Sequence, residues 1–136
     1  MKLYIVANRL PVKAVPRQDS YTFVRSEGGL ATGLDSLQIS MEKHWIGWPG
    51  VCVDNARQQI EIRQHLETMD FHPIFLSEEQ YHDYYEGYSN STIWPLCHYF
   101  FSHTTVRKEY WESYQKVNAL SVSYTHLRAH ETDQYL

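Results

Sequence analysis

The chain of 136 residues is 43% hydrophobic with a formal net charge of −4, enough length and apolar content for one folded domain, which excludes outright disorder. That charge provides no overall basic field and argues against a nucleic-acid binder. Two distant cysteines, Cys52 and Cys97, exclude a zinc or disulfide framework and fit a cytoplasmic protein. No apolar run approaches the roughly 18 residues of a membrane span, and Asn8 and Arg9 interrupt the opening MKLYIVANRLPV too early for a signal peptide.

Leu3 to Ala7 is a short apolar run rich in β-branched and aromatic residues, the pattern of a buried strand in a parallel sheet. The two prolines and polar residues of the next stretch, NRLPVKAVPRQDS, predict a loop. In SEGGLATGLDSLQISMEK, Leu30, Leu34, Leu37 and Met41 recur at helical spacing, so a helix is expected just after Gly28 and Gly29. Trp45 to Trp48 reads as a second strand, closed by Pro49 and Gly50. Strand, glycine turn, helix and strand outline a βαβ unit. Such units bind ligands at the carboxyl ends of their strands, the edge that would hold Asn8, Arg9, Gly28 and Gly29.

Asn55 to Met69 reads as a surface helix, although IEIR within it alternates as a strand does. FHPIFLS, residues 71 to 77, reads as a third strand that Pro73 weakens at its start. Ser77 and Gln80 form a capping-box pattern that opens a helix through about Tyr85, with Gly87 as its stop. Another helix is expected from Val106 to Leu120, with Tyr110, Trp111, Tyr114 and Val117 along one side. The apolar spacing does not continue into the last residues, SVSYTHLRAHETDQYL.

Several groups admit two readings. Arg9, directly after an apolar strand, is either a solvated strand end or an anion clamp whose planar fork fits phosphate. Gly28 and Gly29 either make a tight turn with φ > 0, or leave bare backbone where a helix N-terminus favours a diphosphate. GGLATG is neither GxGxxG nor a P-loop. In DYYEGYSNSTIWP the rings either pack a helix or hold a polar ligand. Tyr81, Tyr84, Tyr85 and Tyr88 lie at i, i+3, i+4 and i+7, but four phenols are costly to bury without partners. Cys97, His98 and His103 match no metal spacing and read as structural, and His126 with His130 lacks a third zinc ligand. No metal or cofactor is expected.

Five blocks in order, ANRLPV, SEGGLATGLDSL, WIGWPG, FLSEEQYHDYYEGYSNSTIWPLCHYF and W-x-x-Y-x-x-VNAL, resemble the N-terminal part of the trehalose-6-phosphate synthase family, over about residues 2 to 120. These are retaining glycosyltransferases of the GT-B type, glycosyltransferase family 20. The resemblance implies an α/β fold: an incomplete, Rossmann-like N-terminal domain on the acceptor side, residues 1–120. It implies a parent enzyme that transfers glucose from UDP-glucose to glucose 6-phosphate, giving trehalose 6-phosphate and UDP. By this resemblance Arg9 and Tyr85 meet the acceptor phosphate, Trp94 packs by the acceptor sugar, and Gly28 and Gly29 lie beside the donor. Front-face attack by the acceptor hydroxyl is the implied route, with no catalytic residue assigned in this segment. Homo-oligomeric assembly of the parent is left open.

The departures set further expectations. The histidine-aspartate-tyrosine-histidine run that follows in the family is absent, as are the cations that neutralise the departing UDP. Residues 121–136 resemble translated sequencing-adapter DNA and are expected to be non-native. Because the donor-side cations are missing, the chain alone is expected to be inactive. A non-catalytic sugar-phosphate-binding or regulatory module is the alternative. A purely structural half-domain is a second, and it predicts that Tyr85 and Trp94 face the interior.

Overall fold

The computed structural model describes residues 1–26, 28–37 and 40–133, which divide into two compact units, Met1–Phe75 and Leu76–Leu136. In chain order the first unit contains β1 (Lys2–Arg9), β2 (Val12–Arg17), β3 (Ser20–Arg25), α1 (Gly29–Asp35), β4 (Glu42–Trp48), α2 (Ala56–Glu67) and β5 (Phe71–Pro73). β1, β4 and β5 form a parallel sheet in that order, with Ile5 opposite Trp45 and Trp45 opposite Phe71. Parallel pairing needs a crossover between successive strands, and α1 and α2 lie in those connections. The α/β class is therefore as expected.

Burial differs from expectation. β4, paired on both sides, buries His44 to Trp48 continuously, with Ile46 fully enclosed. β1 lies at the sheet edge and is only partly covered, Val6 being 51% exposed. The apolar run predicted a strand correctly but overstated its burial, since a run of this kind does not say which strand is central. β5 is three residues long, because Pro73 has no N–H to extend the ladder. The amide of Ile74 adds one last bond to the Gly47 carbonyl at 2.9 Å.

The expected loop after Asn8 is instead an antiparallel hairpin, paired from Val12–Arg25 to Arg17–Ser20. Its reversal at Gln18 and Asp19 lacks the Asn-Gly signature of a tight hairpin, and Gln18 takes φ 31°. Ala14 is buried with Leu10, Trp45, Val53, Ile62 and Leu66, and Tyr21 and Phe23 pack against that core. The Phe23 ring stacks on His65 of α2 at 3.9 Å between centroids.

α1 ends at Asp35, short of the Leu37 and Met41 that continue its spacing, and β4 begins at Glu42. Lys43 donates to the carbonyls of Leu34 (2.7 Å) and Leu37 (3.0 Å), a cation satisfying groups at a helix C-terminal end. α2 resolves the alternation of IEIR as helix. The Asn55 side chain accepts from the amides of Arg57 and Gln58, Ile62 and Leu66 are fully buried, and Ile60 is exposed.

The second unit contains α3 (Glu78–Tyr81), a π-helix over His82–Ile93, α4 (Trp94–Cys97), a 3-10 turn over Phe101–His103 and α5 (Lys108–Asp133). The capping box forms as read, with Ser77 Oγ accepting from the Gln80 amide and the Gln80 side chain accepting from the Ser77 amide. Gly87 does not stop the helix. It is buried within the π-helix, where Tyr110 of α5 comes within 2.6 Å of the place a Cβ would occupy. α4 closes with the amide of Tyr99 on the Leu96 carbonyl and that of Phe100 on Pro95, the paired bonds of a Schellman motif. The left-handed residue of that motif is Tyr99, φ 63°, where glycine is usual. α5 runs past the expected end at Leu120 without a break.

Candidate functional site

Arg9 is the last residue of β1, at the carboxyl edge of the parallel sheet, and is exposed. Its pairing partner on β4 is Trp48, and its guanidinium lies over the Trp48 ring at 5.7 Å. An aromatic face attracts a cation, so the ring helps to hold the guanidinium at this edge. The next amide, Leu10, donates to the Trp48 carbonyl at 3.0 Å, which fixes the backbone that carries Arg9. Gly47 makes this closeness feasible: a Cβ there would stand 2.6 Å from the Ala7 carbonyl oxygen and 3.1 Å from the Arg9 carbonyl carbon.

Gly28 is the N-cap of α1 and Gly29 its first residue. Neither takes the positive φ that a tight turn would demand. Gly28 is extended (φ −179°, ψ 139°), and among the described glycines only Gly50 has positive φ. Among the described residues, chain neighbours apart, nothing lies within 4 Å of a Cβ built on either Gly28 or Gly29. The first turn of α1 carries no acidic residue that would oppose an anion.

In the second unit the tyrosines divide between two faces. Tyr84 is buried and stacks on Tyr114 of α5 at 6.0 Å, and Tyr88 contacts Tyr114 at 4.4 Å and Trp111 at 5.5 Å. Burial, then the neighbouring Tyr114 and Tyr85 phenols, push the Tyr84 pKa up from 10.0 to about 12. Tyr81 stacks on Tyr85 at 5.5 Å, and both are half-buried. Trp94 is 52% exposed, with His98 stacked on it at 4.0 Å and donating through Nδ1 to the Trp94 carbonyl at 2.7 Å. A half-domain that buries both Tyr85 and Trp94 is therefore excluded for Trp94.

His98 and His103 are engaged as structural groups, His103 through Ser102 and the Phe100 ring. His130 of the expected His126–His130 pair has its side chain outside the described residues. One group with the atoms to hold a metal was not singled out from the sequence: Glu42, His44 and Asp70 bring one ligand atom each within 4.8 Å of one another. They stand at the amino edge of the sheet, the end away from Arg9. His44 donates through Nε2 to Glu42 at 2.9 Å, while its Nδ1 faces His72 Nε2 at 3.2 Å. The signal was Glu42 and His44 at i and i+2 of one strand, which share a face, whereas Asp70 precedes β5 and reaches His44 only through the pairing of β4 with β5.

The profile of Glycosyltransferase family 20 matches residues 1–126. A trehalose-6-phosphate synthase of Mycolicibacterium vanbaalenii is 44% identical over 120 residues, 84% of this chain and 24% of that protein. An alpha,alpha-trehalose-phosphate synthase (UDP-forming) of Botryotinia fuckeliana is 37% identical over 120 residues, 88% of this chain and 23% of its own length. Among solved structures, the crystal structure of an alpha,alpha-trehalose-phosphate synthase (UDP-forming) from Burkholderia vietnamiensis has a TM-score of 0.62 at 23% identity, covering 93% of this chain and 26% of that one. That likeness concerns the fold. The chain spans about a quarter of the length of the curated relatives it matches.

Proposed function

This chain belongs to glycosyltransferase family 20, and from that premise we propose that it is the acceptor-side part of a glucosyltransferase making trehalose 6-phosphate. One relative is named a UDP-forming trehalose-phosphate synthase and another a trehalose-6-phosphate synthase. Atom balance then requires a UDP-glucose donor and a glucose 6-phosphate acceptor. The acceptor hydroxyl bonds to the donor's anomeric carbon, the bond to the UDP oxygen breaks, and the hydroxyl proton leaves with the departing phosphate.

The observation that carries this reading is Arg9, a permanent cation at the carboxyl edge of a parallel sheet, backed by Trp48 at 5.7 Å. Ligands of α/β sheets bind at that edge, and a guanidinium suits a phosphate dianion. In the helical unit Tyr85 would donate to a phosphate oxygen and Trp94 would line the sugar. Gly28 and Gly29 would give the donor room beside bare backbone. Nothing in this set is a nucleophile or a general base, and its work is positioning and charge. The chain by itself would not release UDP, because it spans only about a quarter of its relatives. A cytoplasmic setting suits the thiols Cys52 and Cys97, neither of which is in a disulfide, and no described helix is long and apolar enough to cross a membrane.

The test is a calorimetric titration of the chain with glucose 6-phosphate and with glucose. The phosphorylated sugar should bind and glucose should not at equal concentration. Arg9→Ala should weaken glucose 6-phosphate by about tenfold or more, the scale of a lost charge-assisted bond. Equal binding by Arg9→Ala and the unaltered chain would overturn the assignment.

A further inference from the structure

The stretch His82–Ile93 is π-helical for twelve residues, far longer than the single-turn bulges usual for this geometry. Its last bond, from the Trp94 amide to the Ser89 carbonyl, spans five residues. Three hydroxyls follow the same register. Ser89 Oγ donates to the Tyr84 carbonyl at 3.1 Å, Ser91 Oγ to Glu86 at 2.7 Å, and Thr92 Oγ1 to Gly87 at 3.4 Å, each five residues back. In α5 the same residue types reach four back, Ser121 to Val117 and Thr125 to Ser121. Thr92 Oγ1 has a single proton, shared between the Gly87 carbonyl and the much nearer Thr105 carbonyl, and the latter bond ties the end of the π-helix to the segment leading into α5.

The register decides which side chains share a face. Bonds to the fifth residue widen the helix to about 4.4 residues per turn, about 82° per residue. Over the nine steps from Tyr85 to Trp94 the rotation is about 736°, two full turns and about 16° more. An α-helix, at about 100° per residue, would give about 900° and set the two rings on opposite sides. The packing agrees with the wider turn. Tyr84, Tyr88 and Thr92, four apart, drift only about 33° per step in this register, and all three are held by α5 or the segment before it. Tyr85 and Trp94 fall on the side away from them, in keeping with the exposure of Trp94.

We propose that Ser89, Ser91 and Thr92 are positioning residues, whose hydroxyls hold the π register that puts Tyr85 and Trp94 on one face for the acceptor. The proposal rests on the reading of those two rings as acceptor contacts. Sequence supports the economy of the device: Gly-Tyr-Ser-Asn-Ser-Thr is poor in strong α-helix formers, so little is lost by leaving that geometry.

The test replaces all three hydroxyls at once, Ser89→Ala, Ser91→Ala and Thr92→Val, and compares a set that keeps them, Ser89→Thr and Thr92→Ser. Two readouts are taken on each chain: the hydrogen-bond partner of the Trp94 amide by NMR, and the dissociation constant for glucose 6-phosphate by calorimetry. We expect the first set to move that amide from the Ser89 carbonyl to Asn90 and to weaken binding about tenfold or more, and the second to keep both within twofold. If the triple variant does not fold, Ser91→Ala alone is read in the same way, with a smaller loss of about threefold. An unchanged Trp94 partner, or a changed partner with binding within twofold, overturns the proposal. Tyr85→Phe and Trp94→Ala serve as a separate arm. If neither weakens binding, the reading of the acceptor contacts fails, whatever the register does.

Discussion

Gly47→Ala is the sharpest test of how the sheet is built. The new methyl would lie 2.6 Å from the Ala7 carbonyl oxygen, 3.1 Å from the Arg9 carbonyl carbon and 3.2 Å from the Leu10 nitrogen. All three are backbone atoms of β1 and its exit, so no side chain can rotate away. Relief requires β1 to retreat from β4, against the Leu10–Trp48 bond at 3.0 Å and the parallel ladder beside it. Overpacking of this kind costs about 1–3 kcal/mol, and a lost rung adds about 1 kcal/mol. The reduced freedom of the unfolded chain returns about 0.5–1 kcal/mol. The net loss is about 2 kcal/mol. With an unfolding entropy of about 2.1 cal/mol/K per residue, that corresponds to a fall in Tm of about 7 °C for this length. Circular dichroism with urea and heat measures it, and hydrogen exchange at Leu10 locates it. Gly33→Ala is the control, since a Cβ there meets nothing within 4 Å and the site is helical. It should be neutral or stabilising by up to about 1 kcal/mol. Equal stability of the two variants would refute the close approach of β1 and β4.

Three further outcomes follow from single residues. The raised pKa of Tyr84 means that the folded state holds its proton after the unfolded chain has released it. Stability from this group is complete below pH 10 and is lost as pH rises from 10 to about 12; the loss, discounted for solvent screening, is about 1–2 kcal/mol. Urea melts across that window should show the slope, and Tyr84→Phe should lose this component of it. Tyr99→Gly should stabilise the second unit by about 1 kcal/mol, because glycine takes φ 63° without the Cβ penalty; a destabilised variant in thermal melts would show that the exposed ring has a packing role. Asn55→Ala should cost about 1 kcal/mol by removing the acceptor for the Arg57 and Gln58 amides, and amide exchange in the first turn of α2 should quicken.

What could be read from sequence was whatever depends on neighbours along the chain. The capping box at Ser77, the Asn55 helix and the β1–α1–β4 unit rest on local spacing, and all three are present. The hairpin was missed because Pro11, Pro16 and the polar residues of the stretch outweighed the alternation in VKAV and YTFV. Gly87 was misread as a helix stop because its reason is tertiary: the Tyr110 ring needs the space. The helical spacing through Tyr85 was real, but the change to i→i−5 bonding depends on hydroxyls and on the tie to Thr105, which no 3.6-residue template contains. Arg9 was located at the right edge of the sheet, while the Trp48 ring behind it required the parallel register.

The position of β1 has a consequence for the order in which the chain can assemble. Lys2 pairs with Glu42, forty residues later, whereas Val12 to Arg25 forms a hairpin entirely within its own neighbourhood. A hairpin forms in roughly 1–10 μs once its residues are available, but β1 must wait for β4 to be made. At a synthesis rate of about 5–20 residues per second, YIVA leaves the ribosome about 2–8 s before its partner strand does. During that interval β1 lacks the β4 strand it pairs with, while the β2–β3 hairpin beside it can already close. The strand that carries Arg9 is thus completed later than the hairpin that follows it in the sequence.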